Sequence, residues 1–242
     1  MEPLKVLYED NHIIIVLKEP NELVQGDDTG DETLLARVRE YVRVTYNKPG
    51  EAYIGLVHRL DRPVGGVMCF ARTSKAAARL SEQLRSHEMR REYVCVARGS
   101  TPDDFTLRHY LKKDEKNNMV TVLPDYLRAQ GKEAVLHGHT IERREGASLV
   151  AIRLETGRPH QIRVQMSHEG NPLLGDHRYG EAGPGEHIAL WGMRLTLKHP
   201  ITQAQMVFIA PAPRDGFFKP FTTSLETVEN LWPAIRGAQH GL

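Results

Sequence analysis

The apolar residues of this chain are broken into many short runs rich in Val, Ile, Tyr and Phe, with Gly, Pro, Asn and Asp between them. A chain divided in this way has to build a sheet and cover it with a few helices. Val6 to Tyr8 and His12 to Leu17 read as strands around the turn Glu9-Asp10-Asn11. Further strands are expected at Val67 to Ala71, Tyr93 to Ala97, Ile188 to Leu197 and Gln205 to Ile209, with a hairpin of Ala134 to Arg143 and Ser148 to Glu155 around Glu145-Gly146. A helix is predicted over Thr33 to Tyr46, where Leu34, Leu35, Val38 and Val42 fall close to one face. A second starts at Thr73 or Ser74 as N-cap and lines Ala77, Leu80 and Leu84 on one side. A short helix over His160 to Ser167, closed by Gly170, and a last one over Glu226 to Ile235 complete the set; the tail beyond is expected to fray. Residues 100–132 are mixed and polar and read as a peripheral excursion, with Lys112 to Asn118 a solvated loop. The pattern is α+β, with a mixed, mainly antiparallel central sheet flanked by helices and loops. No clear linker divides the chain, so one domain over 1–242 is expected.

Charge narrows the function. Lys plus Arg number 32 against 31 Asp plus Glu, a net charge of +1. This excludes a histone-like polycation and an acidic tail, so any surface for nucleic acid must be local. Two cysteines exclude a disulfide framework and a four-cysteine zinc site. Cys69 and Cys95 sit in apolar runs and read as buried thiols, which suits a reducing compartment. No apolar run reaches the roughly 20 residues of a membrane span, and the start holds no signal-peptide core. A soluble, cytoplasmic protein is expected.

Three segments could carry chemistry. In Leu56 to Gly66, LVHRLDRPVGG, Asp61 stands between Arg59 and Arg62 before a Pro and Gly-Gly turn. A carboxylate on such a turn is a candidate covalent nucleophile, or a turn aspartate with surface ion pairs. In Leu154 to Gly180, His160 and Arg163 are spaced to share a helix face, and Ile162 and Met166 can anchor that helix in the core. Arg163 is then presented inward, or is a solvated cation. Arg91-Glu92-Tyr93 puts a tyrosine at the mouth of a strand, where its ring can stack on a base or fill the core. His137 and His139 point the same way on a strand, but no third ligand and no catalytic-zinc pattern accompanies them, so no metal is expected.

Together these segments resemble the RluA family of RNA pseudouridine synthases. The H-R-L-D motif is His58-Arg59-Leu60-Asp61, and the motif T-G-R-x-H-Q-I-R is Thr156-Gly157-Arg158-Pro159-His160-Gln161-Ile162-Arg163. Arg91-Glu92-Tyr93 matches the K/R-x-Y segment; Pro172 to Asp176 and Lys198-His199-Pro200 also fit. The match runs from about Leu4 to Ile209, leaving 210–242 as a C-terminal extension. The resemblance implies that Asp61 attacks the target uridine, at C1′ or C6, and that Arg163 is paired with it. It implies that Tyr93 stacks on the target base and that Arg59 fills the space the flipped uridine leaves. His58, Arg62, Arg158, His160 and Gln161 are expected to contact RNA. The implied substrate is structured RNA, ribosomal or transfer, with no cofactor, no metal, no membrane and no obligate protein partner; a monomer is expected. The other reading is an RNA binder or chaperone of the same fold that has lost activity.

The chain departs from the family where K-P-x-G is replaced by Lys18-Glu19-Pro20-Asn21-Glu22, where x-x-T-S-G is replaced by Arg62-Pro63-Val64-Gly65-Gly66, and at Leu190-Trp191-Gly192. Strands begin within ten residues of Met1, so an N-terminal S4 domain is not expected and RNA affinity must come from the catalytic domain. Nine cations against four carboxylates between His58 and Arg98 suit phosphate contacts.

Overall fold

The computed structural model describes residues 3–26, 30–233 and 235. Its elements run β1 (Lys5–Glu9), β2 (Ile13–Lys18), α1 (Leu34–Thr45), β3 (Gly55–Leu56), β4 (Gly65–Ala71), α2 (Ser74–Arg85), β5 (Arg90–Arg98), β6 (Asp104–Asp114) and β7 (Met119–Leu123). After a 3-10 turn at Asp125–Gln130 come β8 (Lys132–Arg144), β9 (Ala147–Leu154), α3 (Gln161–His168), β10 (Leu190–Lys198), β11 (Gln205–Ile209), a 3-10 turn at Gly216–Phe221 and α4 (Thr222–Asn230). The described residues fall in two compact units, one drawn from Met1–Arg91 and Gly192–Ala210, the other from Glu92–Trp191 and Pro211–Leu242.

In the first unit the strand order is β1-β2-β4-β10, with β3 also on β4 and β11 on β10. β2 is apolar without alternation, and Ile13 to Val16 are fully buried, the mark of a strand covered on both faces. Ile13 and Ile15 pack with Val67, Cys69, Leu195 and Leu197 under Ala76 and Leu80 of α2. Thr73 caps that helix by accepting from the Ala76 N–H at 3.1 Å, and Thr33 caps α1 in the same way. Such a cap contributes about 1 kcal/mol. Both cysteines are buried and free, and burial pushes their thiols up.

In the second unit the order is β5-β9-β8-β6-β7. Leu111, Val120 and Ala134 of three adjacent strands pack against Val164 of α3. The strand pairings of both units are antiparallel where register is defined, for example Leu17 with Val67 and Gly138 with Ile152. The mixed, mainly antiparallel α+β architecture is therefore the one the apolar pattern predicts.

Two segments differ from expectation. Residues 104–123 are not a loop excursion but the hairpin of β6 and β7, paired through β6 to β8. Phe105, Leu107, His109 and Leu111 alternate inward, but charged residues on the other face dilute the signal. Lys112 and Lys113 accordingly lie within β6. The last helix is Thr222–Asn230 rather than Glu226 to Ile235. Pro233 accounts for its early end, because the residue before a proline disfavours helical backbone. Residues 236–242, the tail expected to fray, lie outside the described residues. Among the described residues no helix is long and apolar enough to cross a membrane.

Candidate active site

Asp61, His58, Arg59 and Arg62 belong to the first unit; Tyr93, Arg158, His160, Gln161 and Arg163 belong to the second. Asp61 stands on the turn before β4, where its carbonyl accepts the Val64 N–H at 3.0 Å. That turn is tied down from β2 by Lys18, a fully buried residue the sequence did not single out. The Lys18 ammonium donates to the carbonyls of Arg62 at 2.9 Å, Val64 at 2.7 Å and Glu19 at 3.0 Å. Burial pulls its pKa down to about 8, against the attraction of Glu22, Asp61 and Glu19. All three ammonium protons are used on backbone, so Lys18 fixes the path of the turn that carries Asp61.

Two backbone positions in the segments that depart from the family pattern are conformationally special. Asn21 takes the left-handed backbone (φ 65°) that glycine favours, and so turns the chain after Pro20. Gly66 has φ 138°, and a Cβ there would lie 2.3 Å from the carbonyl oxygen of Gly192. The Pro-Val-Gly-Gly turn and the glycine of Leu-Trp-Gly thus meet where the two backbones nearly touch.

His58 is buried, and its Nε2 accepts the Cys69 N–H at 3.0 Å, so Nδ1 carries the proton of a neutral ring. Burial, followed by the charge of Arg91, lowers its pKa to about 3. Between about pH 6.5 and pH 3 the unfolded chain therefore takes up a proton that the folded chain refuses, and stability must fall as pH falls through that window. We expect His58→Gln, which retains an acceptor for Cys69, to show a shallower acid decline in urea unfolding. An unchanged slope would mean that His58 is not its source. Arg62 is exposed and pairs with Asp31 at 2.8 Å, while Arg59 is exposed and forms no ion pair among the described residues.

In the second unit, the loop before α3 is organised by Gln161. Its Oε1 accepts the Thr156 hydroxyl at 2.8 Å and the Arg158 N–H at 2.9 Å, and its Nε2 donates to the Val135 carbonyl at 3.0 Å. Arg158 donates from Nε to the Glu133 carbonyl at 2.7 Å. His160 opens the helix in the left-handed region (φ 52°), a conformation that costs of order 1–3 kcal/mol outside glycine. The Tyr179 hydroxyl, which accepts the Val120 N–H at 2.8 Å, is hydrogen-bonded to His160 Nδ1 at 2.7 Å and holds it there.

Arg163 is buried, as Ile162 and Met166 anchor the helix around it. Its Nε and Nη2 donate to the two carboxylate oxygens of the fully buried Asp176, at 2.9 and 2.6 Å. Asp176 also accepts the N–H groups of Arg178 at 2.9 Å and Tyr179 at 3.2 Å. Burial pushes the Asp176 carboxyl up, but Arg163 and the two N–H groups outweigh it and hold the carboxyl below the ordinary range. Gly175 (φ 71°) sets this carboxylate in place, since a Cβ there would lie 2.2 Å from the His187 carbonyl oxygen. Tyr93 is a buried residue of β5. His137 and His139 do not share a site: the first bonds Thr106 and Glu155, the second Asp104.

Lys18, Asp176 and Tyr179 are the site-building residues that sequence reasoning missed as individuals. Asp176 carried a signal, since it ends the motif Pro172 to Asp176, but its role required Arg163 to be seen beside it.

The RNA pseudouridylate synthase family model matches residues 12–168. The chain is 37% identical over 235 residues to "Ribosomal large subunit pseudouridine synthase D" of Escherichia coli K12, covering 88% of this chain and 68% of that protein. It is 34% identical, with the same coverage, to the protein of that name from Haemophilus influenzae. Among solved structures, human RNA pseudouridylate synthase domain containing 4 has a TM-score of 0.72 at 19% identity, covering 92% of this chain and 93% of that one, which supports the fold. The motif order, the fold and these relatives agree: the chain belongs to the RNA pseudouridylate synthase family, in its RluA branch, and is an isomerase acting on RNA.

Proposed function

We propose that this chain isomerises specific uridines of ribosomal RNA, with Asp61 as the attacking group. The observation that carries the reading is Asp61 itself, at the end of His-Arg-Leu-Asp, on a turn that a buried lysine fixes from β2. The ribosomal substrate is carried by relatives that are named for the large ribosomal subunit.

A uridine in a stem hides its reacting atoms, so it must leave the stack at a cost of a few kcal/mol. Arg59, exposed two residues before Asp61, fills the vacated space, and the flat ring of Tyr93 stacks on the extruded base. A carboxylate oxygen of Asp61 bonds to C1′ of the ribose or to C6 of the base. The bond between N1 and C1′ breaks and the uracil turns. C5 then bonds to C1′, the C5 proton leaves, N1 takes up a proton, and the Asp61 oxygen is released. The bonds made and broken lie within one nucleotide and Asp61, and no external oxidant or group donor enters the balance. The resemblance gives Arg163 the role of charge partner to the aspartate, and within its own unit Asp176 fixes the plane of its guanidinium.

The test is incubation with transcripts carrying uridine tritiated at C5, large-subunit ribosomal RNA and transfer RNA separately. Tritium should appear in water from the ribosomal transcript. Release from transfer RNA alone would move the substrate, and release from neither would overturn the reading.

A further inference from the structure

We propose that the 3-10 turn Asp125–Gln130 and the adjoining ends of β6 and β8 form a second RNA contact. In it Tyr126 stacks on an unpaired base, and Lys112, Arg128 and Lys132 hold the flanking phosphates. The inference rests on the reading that the substrate is an RNA larger than the target nucleotide.

Tyr126 is 84% exposed, the highest value among the exposed large hydrophobics of the described residues. The turn that carries it contributes no buried residue, so the ring is not there to build a core. Nor is the turn loose. The Leu127 N–H donates to the Pro124 carbonyl at 2.9 Å and the Gly131 N–H to the Arg128 carbonyl at 3.1 Å. Gly131 closes the turn against the β6–β7 hairpin, where a Cβ would lie 2.9 Å from Leu123 Cδ1 and 3.2 Å from the Leu111 carbonyl oxygen. Lys112 Nζ donates to Gln130 Oε1 at 3.1 Å and so places its charge at the end of the turn.

The charges on and next to the turn are mainly positive, with Asp125 the turn's own carboxylate. Nearby, Arg108 pairs with Glu133 and Lys113 with Glu115. Asp114 is turned onto the Lys116 N–H and Asn117 Nδ2. Lys112, Arg128 and Lys132 are all exposed and form no ion pair among the described residues. In a chain of net charge +1, Lys112, Arg128 and Lys132 on or next to the turn of a solvent-facing ring, against Asp125 alone, form a local feature. Phosphates supply the complementary charge and bases the complementary face. Such stacking tolerates any base, so the contact reads an unpaired position rather than a sequence.

The probe is a large-subunit ribosomal RNA transcript, with the dissociation constant measured by filter binding at several salt concentrations. Tyr126→Ala should weaken binding about tenfold, while Tyr126→Phe should bind like wild type. Lys112→Gln with Lys132→Gln should lower the salt slope by about two. Melting temperature and kcat should be unchanged in all of them. Wild-type affinity in Tyr126→Ala overturns the proposal, as does a loss shared by Tyr126→Phe, or a wild type that does not bind the transcript. Polyglutamate bound through Tyr126 with RNA affinity unaffected overturns it in favour of an acidic peptide. Tritium release measured in parallel judges the catalytic reading separately, because the contact is scored on affinity alone.

Discussion

Asp61→Asn should lower pseudouridine formation by at least about a thousandfold while leaving RNA affinity within about threefold of wild type. The amide matches the carboxylate in shape but is a far weaker nucleophile, so the covalent step is lost. The fold should tolerate the change, because the turn is held by main-chain contacts: the Asp61 carbonyl to the Val64 N–H, and the carbonyls of Arg62 and Val64 to Lys18. Affinity for a long RNA comes mostly from phosphate contacts, to which one carboxylate adds little. Single-turnover tritium release and filter binding on the same preparation separate the two effects. Turnover close to wild type would remove Asp61 from the role of nucleophile. A matching loss of binding would make it a structural residue instead.

Asp176→Ala should be the most damaging substitution of a residue that is not itself the nucleophile. It takes away the carboxylate that holds Nε and Nη2 of a buried arginine, and the acceptor of the Arg178 and Tyr179 N–H groups. Removing one partner of a buried pair typically costs 3–5 kcal/mol, because the remaining charge stays out of water. In a chain of this size that corresponds to a fall in melting temperature of about 10 °C. Turnover should fall with it, since Arg163 would no longer be held in one plane. Asp176→Asn retains shape and part of the hydrogen bonding, so it should lose less stability yet still lose rate. Calorimetry with tritium release distinguishes these outcomes, and a stable, active Asp176→Ala protein would show that Arg163 needs no such support.

How much of this was legible in the sequence depended on whether the cause was local. The strand Gln205–Ile209, the Thr73 cap and the Gly170 stop follow from neighbours in the chain, and each is where the pattern puts it. The β6–β7 hairpin was hidden because its alternation is carried by only a few apolar residues among many charges. Its inward face becomes apparent only when α3 is seen to cover it. For the candidate site, the motifs marked Asp61, Arg163 and Tyr93, and the resemblance supplied the roles proposed for them. What the motifs could not display is support from a distance. Lys18 acts on carbonyls 44 and 46 positions along the chain, so its side chain alone says nothing of what it holds. Gly66 is required by a backbone approach to Gly192, a contact that no local pattern encodes.

The central claim, that this chain converts uridine to pseudouridine in ribosomal RNA, is tested most directly by the product. A large-subunit ribosomal transcript is incubated with the protein, digested to nucleosides and separated by chromatography. The account predicts that pseudouridine appears and that uridine falls by the same amount. A transcript that is bound tightly by the protein yet yields no pseudouridine would contradict it.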